Sequence, residues 1–501
     1  MTAGKSIAIV GAGPAGLAAA AIMREFGLEL VVIDEQSRIG GQFLRQPPRT
    51  FSVEHWLSNK LYDRAKSVLH VMEDREGIDW RLGSTVLGIM RHSTYGAADP
   101  SGAGHEVWLQ APSGCEVLPA SAVLIASGCY ERPLGFPGWT LPGVMGAGAI
   151  QTFVKSQQFV PGNRFVLAGS HPLQLVVADQ LVAAGAKVAA VIFTQRPQQA
   201  AALFRQPLTM MMQHRPLVET GRILWRLKRA GVPVMFGRTI VGATGADRID
   251  LATIAKLRSD GSIDHDDTQS IECDCLGVCH GFLASSELAR QAGSAVRWRD
   301  DDGGWIVDHD EWFQTSVANL FVAGEVTGVA GAESAMEKGH LAGVGVLRAM
   351  GRVDDKTAQR LARPARRRLG RLDRFARTLS LLARPPRRLA DETMTENTIL
   401  CRCESISRGE FERQIVENPY IVSSDAAKLL TRVGMGMCQG RLCGDRVAQL
   451  VASLRGMAVR DVGPFHAQVP VKPVLLDALR NCSRRNRHED DSTNASLGAD
   501  R

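Results

Sequence analysis

Four cysteines toward the far end of the chain, Cys401, Cys403, Cys438 and Cys443, stand at spacings that could hold iron. The stretch "CRCE" offers two thiolates one residue apart, and "CQGRLC" offers two more with four residues between them. Four soft sulfur ligands satisfy the two irons of a 2Fe-2S cluster. Gly434, Gly436, Gly440 and Gly444 lie around the second pair. Bridging sulfides accept hydrogen bonds from backbone N–H groups, so bare backbone beside the ligands suits that chemistry. Zinc competes for the same donors and a cysteine count does not exclude it, although structural zinc more commonly uses CxxC knuckles.

A second chemical device sits at the opposite end. "SIAIVGAGPAGLAAAAIMREFGLELVVIDE" reads as strand, glycine turn, alanine-rich helix and strand, a complete βαβ unit. Gly11 permits the tight turn, Gly13 lets backbone N–H groups approach a pyrophosphate, and Gly16 lets helix and strand pack closely. Asp34 or Glu35 then falls where a ribose hydroxyl pair needs an acceptor, with Asp34 the better fit in spacing. Downstream, "GGQ" (Gly40 to Gln42), "VLIASG" (Val123 to Gly128) and "LFVAGEVTG" (Leu320 to Gly328) are further small-residue turns after strands.

On these segments the chain resembles the glutathione-reductase-like flavoproteins, in which they surround FAD. The resemblance implies cofactor contacts from Gly11, Gly13, Pro14, Ala15, Gly16, Asp34, Glu35, Gly41, Gln42, Ala126, Ser127, Gly128, Gly324 and Glu325. At Glu325 the usual residue is Asp, one methylene shorter. Disulfide reductases of that superfamily carry a cysteine pair for the flavin to reduce. "GGQFLRQPP" has none, and Cys129 alone reads as a small core thiol.

A second βαβ pattern, "RFVLAGSHPLQLVVADQLVAAGAKVAAVIF", has a broken fingerprint: Gly169, then His171 and Gln174 where glycines belong. His171 is expected to fill the space in which backbone meets pyrophosphate. The following strand ends at Phe193 without a ribose acid or an adjacent arginine. A tight nicotinamide site is therefore not expected, while the subdomain's fold survives on its apolar pattern. "CDCLGVCHGF" (Cys273, Cys275, Cys279, His280) is read as buried strand thiols, because four ligands within so short a stretch are sterically awkward around one ion.

The elements that must position these groups follow from length and composition. At 501 residues, 45% apolar and 22% charged, the chain supports two or three cores. The expected fold class is α/β, with two interleaved Rossmann-like domains of FAD/NAD(P) type and a small helical C-terminal 2Fe-2S domain. The division is 1–160 with 315–350 for FAD, 161–314 for the degenerate half, 351–396 as a basic helical linker, 397–480 for the cluster, and 481–501 as a disordered tail. Cys482 in that tail is not read as a ligand.

The net charge is +7, yet Arg360 to Arg388 alone carries eleven arginines against the single acid Asp373. That stretch, interrupted by Pro364, Pro385 and Pro386, reads as a helical connector with a basic face, either solvated or a docking surface. Nucleic acid is not the expected partner, since no aromatic interleaving or recognition motif accompanies the arginines. No window reaches the roughly 18 uninterrupted apolar residues of a membrane span, so an integral membrane protein is not expected. Cysteine usage fits a reducing cytoplasm, with peripheral contact at the inner face of the membrane allowed.

"CRCE" and "CQGRLC" resemble the bacterioferritin-associated-ferredoxin-like 2Fe-2S domain. With "SGCYERPLGFPGWTLPGVMGAGAIQTFVK", GGQ and the broken second fingerprint, nearly the whole chain resembles alpha-type subunits of opine oxidases, dye-linked proline or hydroxyproline dehydrogenases and hydrogen cyanide synthase. The resemblance implies an FAD-dependent oxidoreductase subunit that relays electrons. A beta-type subunit with its own FAD oxidises the amine or amino acid, and an external acceptor takes the electrons; some relatives hold FMN at the subunit interface. No catalytic base is assigned. Two alternatives stay open: an NAD(P)H-dependent flavin/iron–sulfur reductase, and a non-catalytic ferredoxin-like carrier or assembly subunit.

Overall fold

A computed structural model describes residues 6–48, 50–51, 76–91, 104–196, 198, 214–386 and 388–480. The tail 481–501, with Cys482, lies outside the described residues. In chain order the elements that position the sites begin with β1 (Ile7–Val10), α1 (Pro14–Glu25), β2 (Leu30–Asp34), β3 (Ile78–Leu82) and β4 (Ala122–Ile125). A crossing strand β5 (Cys129–Glu131) leads to β6 (Val144–Gly146), α2 (Ala147–Thr152), β7 (Arg164–Gly169), α3 (Leu173–Ala183), β8 (Lys187–Phe193), β9 (Val234–Phe236) and β10 (Cys275–Cys279). A return strand β11 (Phe282–Ala284) then brings the chain back to β12 (Leu320–Val322) and α4 (Ala332–Ala349).

Two parallel sheets result. The first has order β12-β4-β1-β2-β3 and the second β9-β8-β7-β10-β6. Near-continuous apolar runs such as "IAIV" and "FVLA" form these strands because both faces of each sheet are covered. Ile7, Ile9, Val32, Leu124 and Phe321 fill one side of the first sheet, and Ala8, Val10, Ile33, Val123 and Ile125 the other. The crossing strands β5 and β11 pair antiparallel, Cys129 opposite Ala284, and so link the two halves.

α1 starts with Pro at its first position and no side-chain cap at Gly13, and the chain leaves it through Gly27 at φ +72°. Its small residues let α4 approach: a Cβ at Gly339 would lie 2.1 Å from the Ala15 carbonyl oxygen, and one at Gly343 2.5 Å from Ile22. α5 (Asp355–Ala383) follows, capped by Asp354, whose side chain accepts from the Thr357 N–H at 2.8 Å.

The expected interruption at Pro364 does not occur, and α5 runs through it. The carbonyl that loses its partner belongs to exposed Arg360 and can turn to water. Ala358, Ala362 and Ala365 are buried on the face toward α4. The opposite face exposes Arg363, Arg367, Arg371 and Arg374. Not every arginine there is solvated: Arg366 stacks 4.6 Å over Trp312 and pairs with Glu311 at 2.9 Å, and Arg368 reaches Glu337 at 3.1 Å.

The C-terminal portion is a short hairpin (Ile399–Cys401 with Ile406–Ser407) and three helices, α6 (Arg408–Glu417), α7 (Ser424–Thr431) and α8 (Gly444–Arg455). Ser407 and Ser423 cap α6 and α7, accepting from the Glu410 and Ala426 N–H groups. Leu400, Phe411, Ile415, Val433, Val447 and Phe465 form its own core. Against the rest of the chain it is held by Trp139 Nε1 donating to the Ile399 carbonyl at 2.7 Å and by Arg290 donating to the Phe465 carbonyl at 2.6 Å.

Candidate cofactor sites

In each sheet the strand order reverses beside its first strand, and such a switch point opens a crevice at the carboxyl ends of the strands. In the first sheet this is the junction of β1 and β4. A Cβ at Gly11 would sit 2.4 Å from the Ala126 carbonyl oxygen, and one at Gly16 would sit 1.9 Å from the Gly11 carbonyl oxygen. Both glycines are therefore demanded by neighbouring backbone. Gly13 differs: only the Gly41 Cα, 3.8 Å away, borders its Cβ direction. The uncapped start of α1 thus faces open room, a cradle of backbone N–H groups fitted to a pyrophosphate.

Asp34 and Glu35 part company. Asp34 turns to the glycine turn, its two oxygens accepting from the Ala12 N–H at 2.7 Å and the Gln36 N–H at 2.8 Å. Burial raises its pKa while those backbone bonds oppose the rise. Glu35 instead pairs with Lys472 from the far end of the chain. Pro14 and Ala15 open α1, Gly41 lies against Gly13, and Gln42 is exposed on the turn that follows.

At the end of β4, Ser127 and Gly128 are engaged with the return crossing. Ser127 Oγ donates to the Ser285 carbonyl at 2.7 Å, and the Gly128 carbonyl accepts from the Ser285 N–H at 3.0 Å. Gly324 packs against Ala15, where a Cβ would come within 2.8 Å. Glu325 is partly buried rather than a surface acid. Its Oε1 accepts from the Gly331 N–H at 3.0 Å, and burial raises its pKa against the pull of buried Lys338. Cys129 Sγ lies 3.9 Å from the other Glu325 oxygen, and burial pushes that thiol well above its usual range.

The second switch point, between β7 and β10, repeats the first device: a Cβ at Gly169 would lie 2.0 Å from the Cys279 carbonyl oxygen. There the likeness stops. His171 Nδ1 accepts from the Leu173 N–H at 3.2 Å, so the ring caps the start of α3, and it meets Phe282 edge-on at 4.9 Å. Burial pushes this imidazole down to about 4. Gln174 is fully buried and donates to the Ile192 carbonyl at 3.2 Å, filling the space a third glycine would leave. Arg196, three residues beyond β8, donates to the Leu257 carbonyl at 2.6 Å. Cys273, Cys275 and Cys279 are buried among apolar side chains, and burial pushes the first two thiols up to about 12.

The four C-terminal thiols meet as two pairs, Cys401 with Cys443 and Cys403 with Cys438. Among the described residues no three metal-binding side chains converge on one ion position. Two pairs fit two irons, each taking two thiolates. The Cys443 thiol, with the N–H groups of Gly434, Glu404 and Cys403, lowers the Cys401 pKa to about 6, and the same contact, together with burial, raises Cys443 well above the usual thiol range. The glycines bare the backbone beside the sulfurs, as the sequence suggested, with the Gly434 and Gly440 N–H groups bonding Cys401 and Cys438, and they serve a second purpose as well. Cβ atoms at Gly434 and Gly440 would come within 2.6 and 2.4 Å of the Phe465 ring, and one at Gly436 within 2.2 Å of Cys403 Cβ. Gly434 and Gly440 admit the aromatic plug beneath the cysteine loop, and Gly436 makes room for Cys403.

Residues 5–342 match the pyridine nucleotide-disulphide oxidoreductase family. The chain belongs to that family. Residues 399–453, which include all four cysteines, match the BFD-like [2Fe-2S] binding domain. The HcnB subunit of hydrogen cyanide synthase from Pseudomonas protegens is 31% identical over 476 residues, covering 94% of this chain and 96% of the relative. One of the opine oxidase subunits of Agrobacterium tumefaciens is 30% identical over 476 residues, covering 94% and 90%. The crystal structure of L-proline dehydrogenase from P. horikoshii shares the fold at TM-score 0.66 and 18% identity, covering 95% of this chain and 79% of that one. This family member is accordingly an FAD-type oxidoreductase that carries an iron–sulfur domain, homologous to subunits of heteromeric enzymes.

Sequence reasoning missed the contacts that join the two sites of this oxidoreductase. Tyr130 donates to Glu287 at 3.0 Å, and Glu287 lies 4.0 Å from Arg441 between the second cysteine pair. Arg132 pairs with Asp445, two residues past Cys443, at 3.5 Å. Arg132 follows β5, so the flavin-side crossing and the ligand loop are pinned to each other. No local pattern marks these residues, because their partners lie more than 150 positions away. Gly339 and Gly343 on α4 had a usable signal, their four-residue spacing on one helix face.

Proposed function

We propose that this chain is the electron-relaying subunit of a heteromeric amino-acid or opine-type dehydrogenase. FAD would lie across Gly11 to Gly16, Asp34, Gly41, Ala126 to Gly128, Gly324 and Glu325, and the cluster would be held by Cys401, Cys403, Cys438 and Cys443. Bound flavin accepts two electrons as a hydride, while an iron–sulfur cluster passes them singly. The domain division we propose is the one read from the sequence, with 161–314 a scaffold that holds no nicotinamide.

The observation that carries the proposal is the contrast at the two switch points: open backbone at Gly13, and His171 seated on the start of α3. An NAD(P)H-dependent reductase would need the second site clear. The relatives named as subunits supply the rest: a beta-type partner with its own FAD would hold the amine or amino acid and oxidise its C–N bond, and an external acceptor would receive the electrons. Nothing among the described residues singles out an FMN site at a subunit interface, and the proposal carries two centres. No helix among the described residues is long and apolar enough to cross a membrane. The arginine face of α5 suits peripheral contact with the anionic inner face of a cytoplasmic membrane.

Co-expression with the neighbouring flavoprotein subunit tests this. Substrate should bleach the flavin and produce the electron paramagnetic resonance signal of a reduced cluster only when both subunits are present. Robust substrate oxidation by this chain alone overturns the reading.

A further inference from the structure

The four thiols are not equally covered. Cys401 and Cys443 are buried and Cys438 is half-buried, while Cys403 is exposed. One sulfur of the ligand set therefore reaches the surface, and the surface around it is apolar. Met437 is 78% exposed and Met435 is also exposed, one on either side of Gly436, which packs against Cys403. Leu429, 75% exposed, borders a hollow of about 580 Å³ together with Met435 and Lys428, so the apolar collar runs on from the sulfur. Unbranched methionines adapt to the relief of a partner, and apolar side chains grouped on a surface beside a redox ligand mark a contact face.

The rim of the collar is positive. Arg402, between the first two cysteines, is exposed, and its guanidinium donates to the Thr140 carbonyl at 3.5 Å. Lys428 stands 5.7 Å over the Phe465 ring. Glu404 is the acid nearest the exposed sulfur in the chain, and Arg432 already pairs with it at 3.1 Å. Across residues 397–480 eleven Lys and Arg stand against eight Asp and Glu. A second copy of the chain would bring like charge against like charge here, whereas an acidic protein would be drawn in.

We propose that this collar is the docking surface of the external acceptor, and that the acceptor is a small acidic protein that takes electrons one at a time. This rests on the relay reading above, in which electrons leave through the cluster. Acidic side chains of the acceptor meet Arg402 and Lys428, and its apolar centre covers Met435, Met437 and Cys403. The transfer is balanced by a single electron: one cluster iron passes from ferrous to ferric, and the acceptor's centre is reduced by one. No bond forms or breaks and no proton moves. A few adaptable apolar contacts inside a charged rim make a brief encounter of roughly 1,200 Å² or less, the class in which electron carriers dock and leave.

The test uses the full chain in complex with its partner, reduced anaerobically by substrate, with the acidic soluble haem domain of cytochrome b5 as the probe and basic cytochrome c as the control. Haem reduction followed by stopped flow should be second order and should slow roughly tenfold as ionic strength rises from about 0.02 to about 0.3 M. Met437→Glu should slow it roughly tenfold at low salt, Met437→Leu should restore it, and Lys428→Glu should flatten the salt dependence. In every variant the substrate-reduced cluster signal in electron paramagnetic resonance should equal that of the wild type. A rate indifferent to salt, cytochrome c reduced as readily as the probe, or an undiminished rate in Met437→Glu overturns the inference. Variants that no longer assemble with the partner, or lose substrate-driven reduction, assign the collar to the partner subunit and overturn it too. A wild-type complex whose cluster substrate never reduces would instead overturn the relay reading, and the docking measurement is then made on dithionite-reduced protein.

Discussion

The two switch points of this molecule share one backbone device and differ in what fills it. Gly11 presses on the Ala126 carbonyl and Gly169 on the Cys279 carbonyl, each at the junction of a first strand with its neighbour across the reversal. In the first, Gly13 and Gly16 keep helix and turn bare. In the second, His171 caps its own helix and Gln174 bonds to the next strand. The packing that makes a Rossmann half stable is therefore separable from the features that make it bind a nucleotide. A half can lose its ligand and keep its place if its own side chains satisfy the groups the ligand used to satisfy.

That difference can be broken most severely at Gly16. Gly16→Val would force a side chain into the Gly11 carbonyl, 1.9 Å from the new Cβ, and should cost several kcal/mol. The purified protein is expected to be colourless, checked by flavin absorbance and a melting curve. Gly13→His, which copies the second turn into the first, should act more selectively. Space beside Gly13 admits a side chain, so the fold should survive with flavin content reduced about tenfold or more; retained stoichiometric flavin would show that the cradle lies elsewhere.

The reverse exchange should do less. Removing the second turn's fillers with His171→Gly and Gln174→Gly is expected to cost about 2 kcal/mol of stability, from lost burial and two lost hydrogen bonds. It should not confer flavin bleaching by NADH under anaerobic conditions, because no ribose acid follows β8 and Arg196 is held by the Leu257 carbonyl. Rapid bleaching would refute the view that this half lacks more than two glycines.

Acid should give the smallest effect, and it should fall on the second half. His171 and His280 titrate near 4 in the folded chain and near 6.5 when unfolded. Their neutral state favours folding fully above about pH 6.5, and this contribution is lost progressively as pH falls toward 4. At about pH 6 the loss should be roughly 0.8 kcal/mol per histidine. Hydrogen exchange at that pH should show β7 to β10 opening before β1 to β4.

Much of the fold was legible from residues 7 to 35 and 164 to 193, because a parallel strand covered on both faces must be apolar throughout and a βαβ turn must be made of small residues. The cysteine pairs were legible for a similar reason, since ligand chemistry dictates residue type and short spacing. The roles inside a site were less so. Spacing alone could not separate Asp34 from Glu35; the fold did so by sending Lys472 to Glu35 and the Ala12 N–H to Asp34. Nor could it say that Gly434 and Gly440 make room for Phe465, which lies more than twenty positions downstream.

What the sequence determined by itself was local: which segments are strands, where backbone must be bare, and which sulfurs stand at ligand spacing. These depend on sterics and donor type within a few residues. Only the tertiary structure decided how the two portions are pinned together, through Arg132 with Asp445 and Tyr130 with Glu287, and that both ring nitrogens of His280 are buried without a partner. Pairing across hundreds of residues leaves no periodic trace in the chain. It is fixed only when packed cores bring those side chains within hydrogen-bond reach.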